Sequence, residues 1–388
     1  MSISFLTKLT LLFMAMLTMM SNVAIITVLP HLKEYFSSTD NIEFLSRLMV
    51  TLPSFAISFL SILIGHIIAK VGKQKSAFFA LILFSSAGSA GLYLDSINSL
   101  LISRFFLGIA IAILMIVNTS LIGDYFQGEK RHKFMGLQSA FISIGGVLFV
   151  VGGGFLSDSN WRYPFGIYLI GILLIPLVLT QIKENHKDIT SPLEENSNLN
   201  QKLWHIYFLA FLLMLLFYIL PTQMPFLIIN HFGASGVLTG AIISSAFVFN
   251  ALGAMSFAKL KRKFSFAKIY ILGIFIISIG FILIGLVNNV WLFFFTSPIM
   301  GFGGGILMTT VSAWMLHISH SSKRVKSSGY LTSSLFFGQF LSPIIFHPIV
   351  SYFGIQDFFI VVGVSVFIIS LIFFKINAVI ELKFNPHS

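Results

Sequence analysis

The chain of 388 residues contains no cysteine, and acidic and basic residues together make up only 10% of it. The absence of cysteine excludes disulfide bonds, a thiolate nucleophile and a cysteine-ligated metal site. A soluble globular domain carries roughly 25% charged residues, so the scarcity of charge excludes that class of protein. A hydrophobic fraction of 56% and a mean hydropathy of +0.94 instead predict an all-α membrane protein that crosses the bilayer many times.

Acidic side chains are few as well, and all thirteen lie in predicted loops or at the ends of predicted helices. No carboxylate is therefore expected in the middle of the membrane, where many pumps have a proton relay. The sequence also lacks an H-E-x-x-H motif, a Ser-His-Asp arrangement and a phosphate-binding Gly-Lys-Ser/Thr loop. We therefore predict that the protein is not an enzyme, and that it binds no cofactor and no metal.

Long apolar runs separated by short polar segments predict twelve membrane-spanning helices. The first run is predicted to be a retained helix and not a signal peptide, because it extends to Pro30 without a small-x-small cleavage pattern. The twelve predicted spans are about residues 8–30, 45–69, 76–94, 98–123, 134–157, 163–182, 203–229, 237–258, 267–286, 290–315, 327–350 and 354–375.

The net charge of +11 comes from basic residues that lie mainly on one side of the predicted membrane. When the loops are assigned alternately to the two sides, 20 of the 24 lysines and arginines fall on the side of both termini. Three fall on the other side, and Arg104 lies inside a span. Because basic loops stay in the cytoplasm, the pattern predicts cytoplasmic termini in a multi-pass protein of the inner membrane. It also explains the basic pI without a nucleic-acid partner.

The longest polar stretch of the chain, residues 183–202, is rich in Glu, Asn, Lys and Ser. It separates the sixth and seventh predicted spans and is typical of a flexible linker. We therefore expect a six-helix bundle over residues 1–182, a cytoplasmic linker over 183–202, and a second six-helix bundle over 203–388 that ends in a short cytoplasmic tail.

Two short sequences recur in corresponding loops of the two halves. The sequence Lys130-Arg131-His132-Lys133 recurs as Lys323-Arg324-Val325-Lys326, 193 residues later. Ala69-Lys70-Val71 recurs as Ala258-Lys259-Leu260, 189 residues later. Since each pair occupies equivalent cytoplasmic loops, the repeats predict a duplicated six-helix unit with parallel halves.

Several motifs resemble those of the major facilitator superfamily. The loop Gly65–Lys75 resembles that family's G-x-L-A-D-R-x-G-R-R-K loop between helices two and three. Arg104 and Gly108 are similar to the R-x-x-x-G of helix four, and Asp124 with Arg131 is similar to the exit from that helix. The resemblance implies twelve transmembrane helices in two pseudosymmetric six-helix bundles. It also implies that a set of loop residues controls the cytoplasmic gate, namely Gly65, Lys70, Gly72, Lys73, Asp124 and Arg131.

The glycine-rich segment of residues 145–154, followed by Trp161-Arg162, resembles the helix-five motif of drug–proton antiporters. Two positions depart from the family pattern. Ala69 replaces the usual acid of the loop motif, so we expect the ion pairing there to use Asp124. Phe149-Val150 replaces the central Gly-Pro of the antiporter motif. The resemblance therefore implies transport, and it implies antiport less directly.

Arg104 is the one charged residue well inside a predicted span. An arginine at the centre of a membrane helix costs roughly 2.5–3.5 kcal/mol, so it should face a polar cavity or a polar partner. One interpretation is that it contacts an anionic group of a substrate. The other is that it bonds backbone carbonyls of neighbouring helices as a structural hub. On the first interpretation, Arg104→Ala would reduce flux and leave the amount of protein in the membrane unchanged.

Uncharged polar residues within spans are the other candidates for substrate binding. Asn22 lies midway along the first span, and Gln223 follows Pro221 in the seventh, its counterpart in the second half. In the family architecture these helices line the central cavity, where an amide can bond a ligand; the alternative is interhelical packing. Further candidates of the same kind are Gln138, Tyr218, Asn250 and Gln339.

Together these features predict a secondary active transporter that works by alternating access. The preferred function is proton-linked export of a small amphipathic or anionic organic compound, such as a drug, a metabolite or a siderophore. The expected partners are that small molecule, protons and the lipid bilayer, with no nucleic acid, and the protein is expected to be a monomer. The alternatives are an importer of a small metabolite or metal, and a membrane receptor that no longer transports.

Overall fold

A computed structural model of the protein describes residues 3–126, 128–182, 201–318 and 324–384. These residues form helices and contain no strand, so the predicted all-α fold class is confirmed for them. The α-helices are α1 (Phe5–Val23), α2 (Leu29–Tyr35), α3 (Ile42–Val71), α4 (Lys73–Gly88), α5 (Ile97–Tyr125), α6 (Gly128–Ser159), α7 (Ile170–Gln181), α8 (Gln201–Phe217), α9 (Ile219–Pro225), α10 (Gly236–Lys261), α11 (Phe266–Gly285), α12 (Phe293–Ile318), α13 (Arg324–Phe353) and α14 (Ile355–Phe384).

Eleven segments among the described residues are long and apolar enough to cross a membrane. They correspond to the second to twelfth predicted spans. The first predicted span, residues 8–30, is divided: its apolar helix α1 ends at Val23, a 3-10 turn covers Ile26–Val28, and α2 follows. Pro30 explains the division, because a proline ring clashes with the carbonyl four residues earlier in an α-helix but fits the first turn of a new one.

The chain divides into two compact units, of which the first covers Met1–Leu199 together with Ser235–Gly240. The predicted linker lies almost wholly outside the described residues. Within the first unit, α3 packs along α5, α1 packs along α6, and α4 packs against α5 and α7. A Cβ atom at Gly108 on α5 would overlap the backbone of Pro53 on α3. Glycine is therefore required there, because it lets the two helix backbones come into contact.

The second unit covers Asn200–Ala234 and Ala241–Ser388. Within it, α11 packs against both α12 and α14, and α8 packs along α13. A Cβ atom at Gly301 on α12 would overlap the backbone carbonyl of Ala246 on α10. Gly301 and Ala246 each follow Gly108 and Pro53 by 193 residues, which is the offset of the repeated basic loops. The same glycine crossing thus occurs in both units, as expected for a duplicated helical unit.

Candidate functional site

Arg104 is completely buried on α5, where it contacts backbone carbonyls and two aromatic rings, while its Nη1 has no hydrogen-bond partner among the described residues. Its Nη2 donates to the carbonyl of Ala87 at 2.7 Å and to that of Gly88 at 2.6 Å. Its guanidinium carbon lies 5.1 Å from the ring centroids of both Phe165 and Tyr168. A desolvated cation over aromatic faces gains further attraction from the ring quadrupoles.

These contacts exist because α4 ends at Gly88 and continues as a 3-10 turn over Ser89–Leu92. The carbonyls in the last turn of a helix lack intrahelical donors and carry the negative end of the helix dipole, so a cation is stabilised there. Gly88 also gives room to the ring of Tyr168, which a Cβ atom at that position would overlap. The arrangement is the one expected of the structural hub, and a contact between Arg104 and substrate stays a prediction.

Gln223 lies in the most irregular membrane segment of the second unit. Helix α8 ends at Phe217, α9 covers Ile219–Pro225, and a π-helical turn covers Phe226–His231. Gln223 on α9 is completely buried, yet neither its Oε1 nor its Nε2 has a hydrogen-bond partner. A buried polar group without a partner is rare in proteins and requires an explanation, such as a bound ligand or water.

The remaining substrate candidates lie on several different helices. Tyr218 is buried at the junction of α8 and α9, one turn before Gln223. Gln339 is buried on α13, which packs against α9, and its Nε2 has no partner. Asn250 is half-buried on α10, where its Nδ2 lies beside Gly304 of α12. In the first unit, Gln138 is half-buried on α6 and Asn22 lies on α1, with a side chain outside the described residues. The structure thus brings Tyr218 and Gln223 together on one interrupted helix.

The loop motif of residues 65–75 contains an ion pair in spite of Ala69. Lys73 begins α4, Asp124 lies in the last turn of α5, and the Nζ of Lys73 is 2.5 Å from Oδ2 of Asp124. The expectation that Asp124 supplies the missing acid thus has a matching contact. Of the other expected gate residues, Lys70 is exposed, nothing approaches a Cβ atom built at Gly65, and the side chain of Arg131 lies outside the described residues.

Gly72 has a backbone requirement of its own, since it is the single residue between α3 and α4 and has φ 96° and ψ 154°. Side-chain-bearing residues essentially never adopt this conformation. We expect Gly72→Ala to lower the free energy of unfolding by about 1–3 kcal/mol, measured by thermal and denaturant unfolding of the purified protein. Gly65→Ala is the matched control, because that position has open space and no unusual φ. Equal stability of the two variants would contradict the backbone requirement.

The sequence interpretation missed two polar groupings in the first unit. Gln74 donates from Nε2 to the carbonyls of Leu179 at 2.8 Å and Ile182 at 2.9 Å, and so caps the end of α7. Arg47 is completely buried, and its Nη2 lies 2.6 Å from Oε1 of Glu43, whose Oε2 is 2.7 Å from Lys33. The spacing of Glu43 and Arg47, four residues apart at a helix start, is a signal that would have found the second grouping. For Gln74 the sequence offers no such signal.

Comparison with known proteins agrees with this architecture. A family model described as Major Facilitator Superfamily matches residues 11–266 and 206–386. The chain belongs to the Major Facilitator Superfamily. It is therefore a multi-pass membrane protein of a superfamily of transporters, as its sequence predicts.

Its relatives within the superfamily transport different compounds. Over 171 residues the chain is 28% identical to Multidrug resistance protein 2 of Bacillus subtilis, covering 41% of this chain and 43% of the relative. Over 246 residues it is 25% identical to the probable nitrate transporter NarT of Staphylococcus aureus, covering 59% and 60%. The matches thus span about half the length of these relatives.

Solved structures of superfamily members share the fold over nearly the whole chain. The nucleoside transporter NupG superposes with a TM-score of 0.82 at 12% identity, covering 95% of this chain and 99% of NupG. A bacterial homologue of the human lysosomal transporter Spinster superposes with a TM-score of 0.77 at 18% identity, covering 97% of each chain. At such identities the likeness concerns the fold alone.

Proposed function

We propose that this transporter exports a small amphipathic organic compound across the inner membrane in exchange for protons, as a monomer with both termini in the cytoplasm. The observation that carries the proposal is the buried, unbonded amide of Gln223. The multidrug relatives in Bacillus subtilis support export of amphipathic compounds. Arg104 bonds two backbone carbonyls through Nη2 and packs against two aromatic rings, so we assign it to the fold and take the substrate to be amphipathic and not anionic.

An unbonded amide in the interior carries a free-energy cost that a substrate can remove. Leaving a buried donor or acceptor unsatisfied costs about 1–3 kcal/mol, and Gln223 has one donor group and one acceptor in this condition. A ligand that bonds this amide recovers the cost on binding. Tyr218 and Gln339, buried on the same or an adjacent helix, are proposed to contact the same ligand, and so is Asn250. Gln138 and Asn22 of the first unit are proposed as substrate contacts from the sequence alone.

At the cytoplasmic side, we assign a gating role to the loop motif. The ion pair of Lys73 and Asp124 joins the start of α4 to the end of α5 within the first unit. It is only partly buried, and exposed pairs of this kind are worth at most about 1 kcal/mol. A pair of that strength can open and close during transport, and Gly65, Lys70, Gly72 and Arg131 belong to the same loop region.

Transport by energised everted membrane vesicles tests the proposal. Three probes of different charge are suitable: chloramphenicol, which is uncharged, tetraphenylphosphonium, which is a cation, and salicylate, which is an anion. We expect uphill accumulation of at least one amphipathic probe in vesicles that contain the protein, and its loss when an uncoupler dissipates the proton gradient. Probe binding without accumulation would instead indicate a receptor, and accumulation that survives the uncoupler would contradict proton coupling.

In the same vesicles, Gln223→Ala is expected to lower flux about tenfold, because one or two lost hydrogen bonds of about 1 kcal/mol each give that factor. Quantitative immunoblots of the membrane fraction give the flux per molecule of protein. Asn98→Ala is the control, since it removes an exposed amide from the first turn of α5. Full flux in the Gln223→Ala variant would contradict a role of Gln223 in substrate binding.

A second candidate function is the transport of a small inorganic anion. The similarity to the probable nitrate transporter NarT favours it. Uptake of nitrate by right-side-out vesicles, with no accumulation of any amphipathic probe by everted ones, would support this function in place of export.

A further inference from the structure

Two prolines interrupt the regular hydrogen bonding of the helix around Gln223. In an α-helix each carbonyl accepts from the N–H four residues later, and proline has no N–H. Pro221 therefore cannot donate to the carbonyl of Phe217, and Pro225 cannot donate to that of Pro221. Gln223 lies between the two prolines and adds the unbonded oxygen of its amide.

The hydroxyl next to Gln223 in the chain is already used within the helix. The hydroxyl of Thr222 donates to the carbonyl of Tyr218 at 2.6 Å, and so it is already used. All seven residues of α9 are buried, and the π-helical turn of Phe226–His231 follows directly. Such turns within α-helical segments are frequent at functional sites. The segment is thus a buried, irregular stretch of backbone that holds an amide without a hydrogen-bond partner.

The charge of the ligand group follows from the composition of the segment. Residues 206–230 include no acidic, basic or histidine residue. A charged group buried there would meet no opposite charge from this helix, and an uncompensated buried charge is far more costly than a buried amide. The side chain of Gln223 offers two donor hydrogens beside one acceptor oxygen. Its complement is an uncharged group with an N–H next to a carbonyl.

We infer that Gln223 and the proline-interrupted segment Phe217–Pro225 bind an uncharged, carboxamide-like group of the compound. The inference rests on the proposed function only in that the bound compound is the one transported. The binding chemistry depends on the interrupted helix alone. It specifies the polar end of the amphipathic substrate, which the proposed function leaves open.

A matched set of four aromatic probes tests this chemistry with the purified full-length protein in lipid nanodiscs. Benzamide has an N–H beside its carbonyl, N,N-dimethylbenzamide has the carbonyl alone, benzoate is an anion and benzylammonium is a cation. We expect benzamide to raise the temperature of thermal unfolding the most. We also expect Gln223→Leu to lose the benzamide shift and Asn98→Ala to keep it.

The leucine variant gives a second readout that a purely structural glutamine would not give. Without ligand, Gln223→Leu should unfold at a temperature equal to or above that of the wild type, because it removes an unbonded polar group from the interior. A marked loss of stability would indicate that the amide supports the fold. It would overturn the inference, as would the absence of any benzamide shift or a larger shift with benzoate, benzylammonium or the dimethyl compound.

The inference and the proposed export can fail separately. Binding in nanodiscs needs no proton gradient and no flux. Benzamide binding that depends on Gln223, in a protein that accumulates no probe in vesicles, contradicts export and leaves the inference in place. Energised accumulation of a probe, together with a stronger response to benzoate than to benzamide, contradicts the inference and leaves export in place.

Discussion

Gly301→Ala is expected to lower the free energy of unfolding by about 3 kcal/mol, at the upper end of the cost of overpacking a well-packed interior. The added methyl group would overlap the carbonyl of Ala246, which is backbone and cannot move aside as a side chain does. To accommodate it, α12 would have to separate from α10 along the whole crossing. Thermal unfolding of the purified variant and its level in the membrane measure the effect.

The control for this substitution is Gly329→Ala on α13, where nothing lies within 4 Å of the added carbon. Alanine is a better helix former than glycine by about 1 kcal/mol, so the control should be neutral or slightly stabilised. The two variants are therefore expected to differ in sign. If Gly301→Ala were as stable as the control, the close crossing of α10 and α12 would be wrong.

Arg104→Ala is expected to lower the free energy of unfolding by about 2–3 kcal/mol, because two buried carbonyls lose their hydrogen-bond donor. The variant no longer has to bury a charged guanidinium, and this gain offsets only part of the loss. Flux per molecule of folded protein should remain unchanged. Parallel measurements of thermal unfolding and of flux separate this result from the one expected if the arginine held an anionic substrate. In that case flux would fall while stability and membrane level stayed the same.

Two further variants sharpen the test of Arg104. Arg104→Lys keeps the charge but replaces the planar fork with a single ammonium group, so its stability should lie between those of the wild type and the alanine variant. Lys75→Ala removes an exposed cation from the first turn of α4 and should change stability by less than about 0.5 kcal/mol. An Arg104→Ala variant with wild-type stability and low flux would indicate that Arg104 contacts the substrate.

The membrane helices could be predicted from the sequence because hydropathy is a local property of the chain. The apolar runs correspond to eleven spanning segments and to α1, and the repeated basic loops point to a duplication that the crossings at Gly108 and Gly301 display in the structure. The break of the first span was not predicted. Its cause, Pro30, was visible but was interpreted as the end of the helix and not as the start of another.

The partners of the candidate residues could not be predicted, because they depend on where neighbouring helices end. The sequence identified Arg104 as unusual, but its bonds require that α4 ends at Gly88 and that rings from residues 163–169 reach it. Gln223 was predicted to be polar and central, and the absence of partners became apparent only in the folded chain. The pairing of Lys73 with Asp124 was open to inference because the family motif lacks its usual acid here.

The surroundings of Arg104 also bear on how the protein is made. Chains are synthesised from the N-terminus, so the carbonyls of Ala87 and Gly88 emerge from the ribosome before Arg104. The rings of Phe165 and Tyr168 emerge about 60 residues later. When α5 has been synthesised, the aromatic part of the surroundings of Arg104 is still to be made, and the segment Ile97–Ile122 that carries the arginine has a mean hydropathy of 2.6. The 3-10 segment Tyr163–Leu169 is thus the last part of the surroundings of the Arg104 guanidinium to be synthesised, after its carbonyl partners on α4.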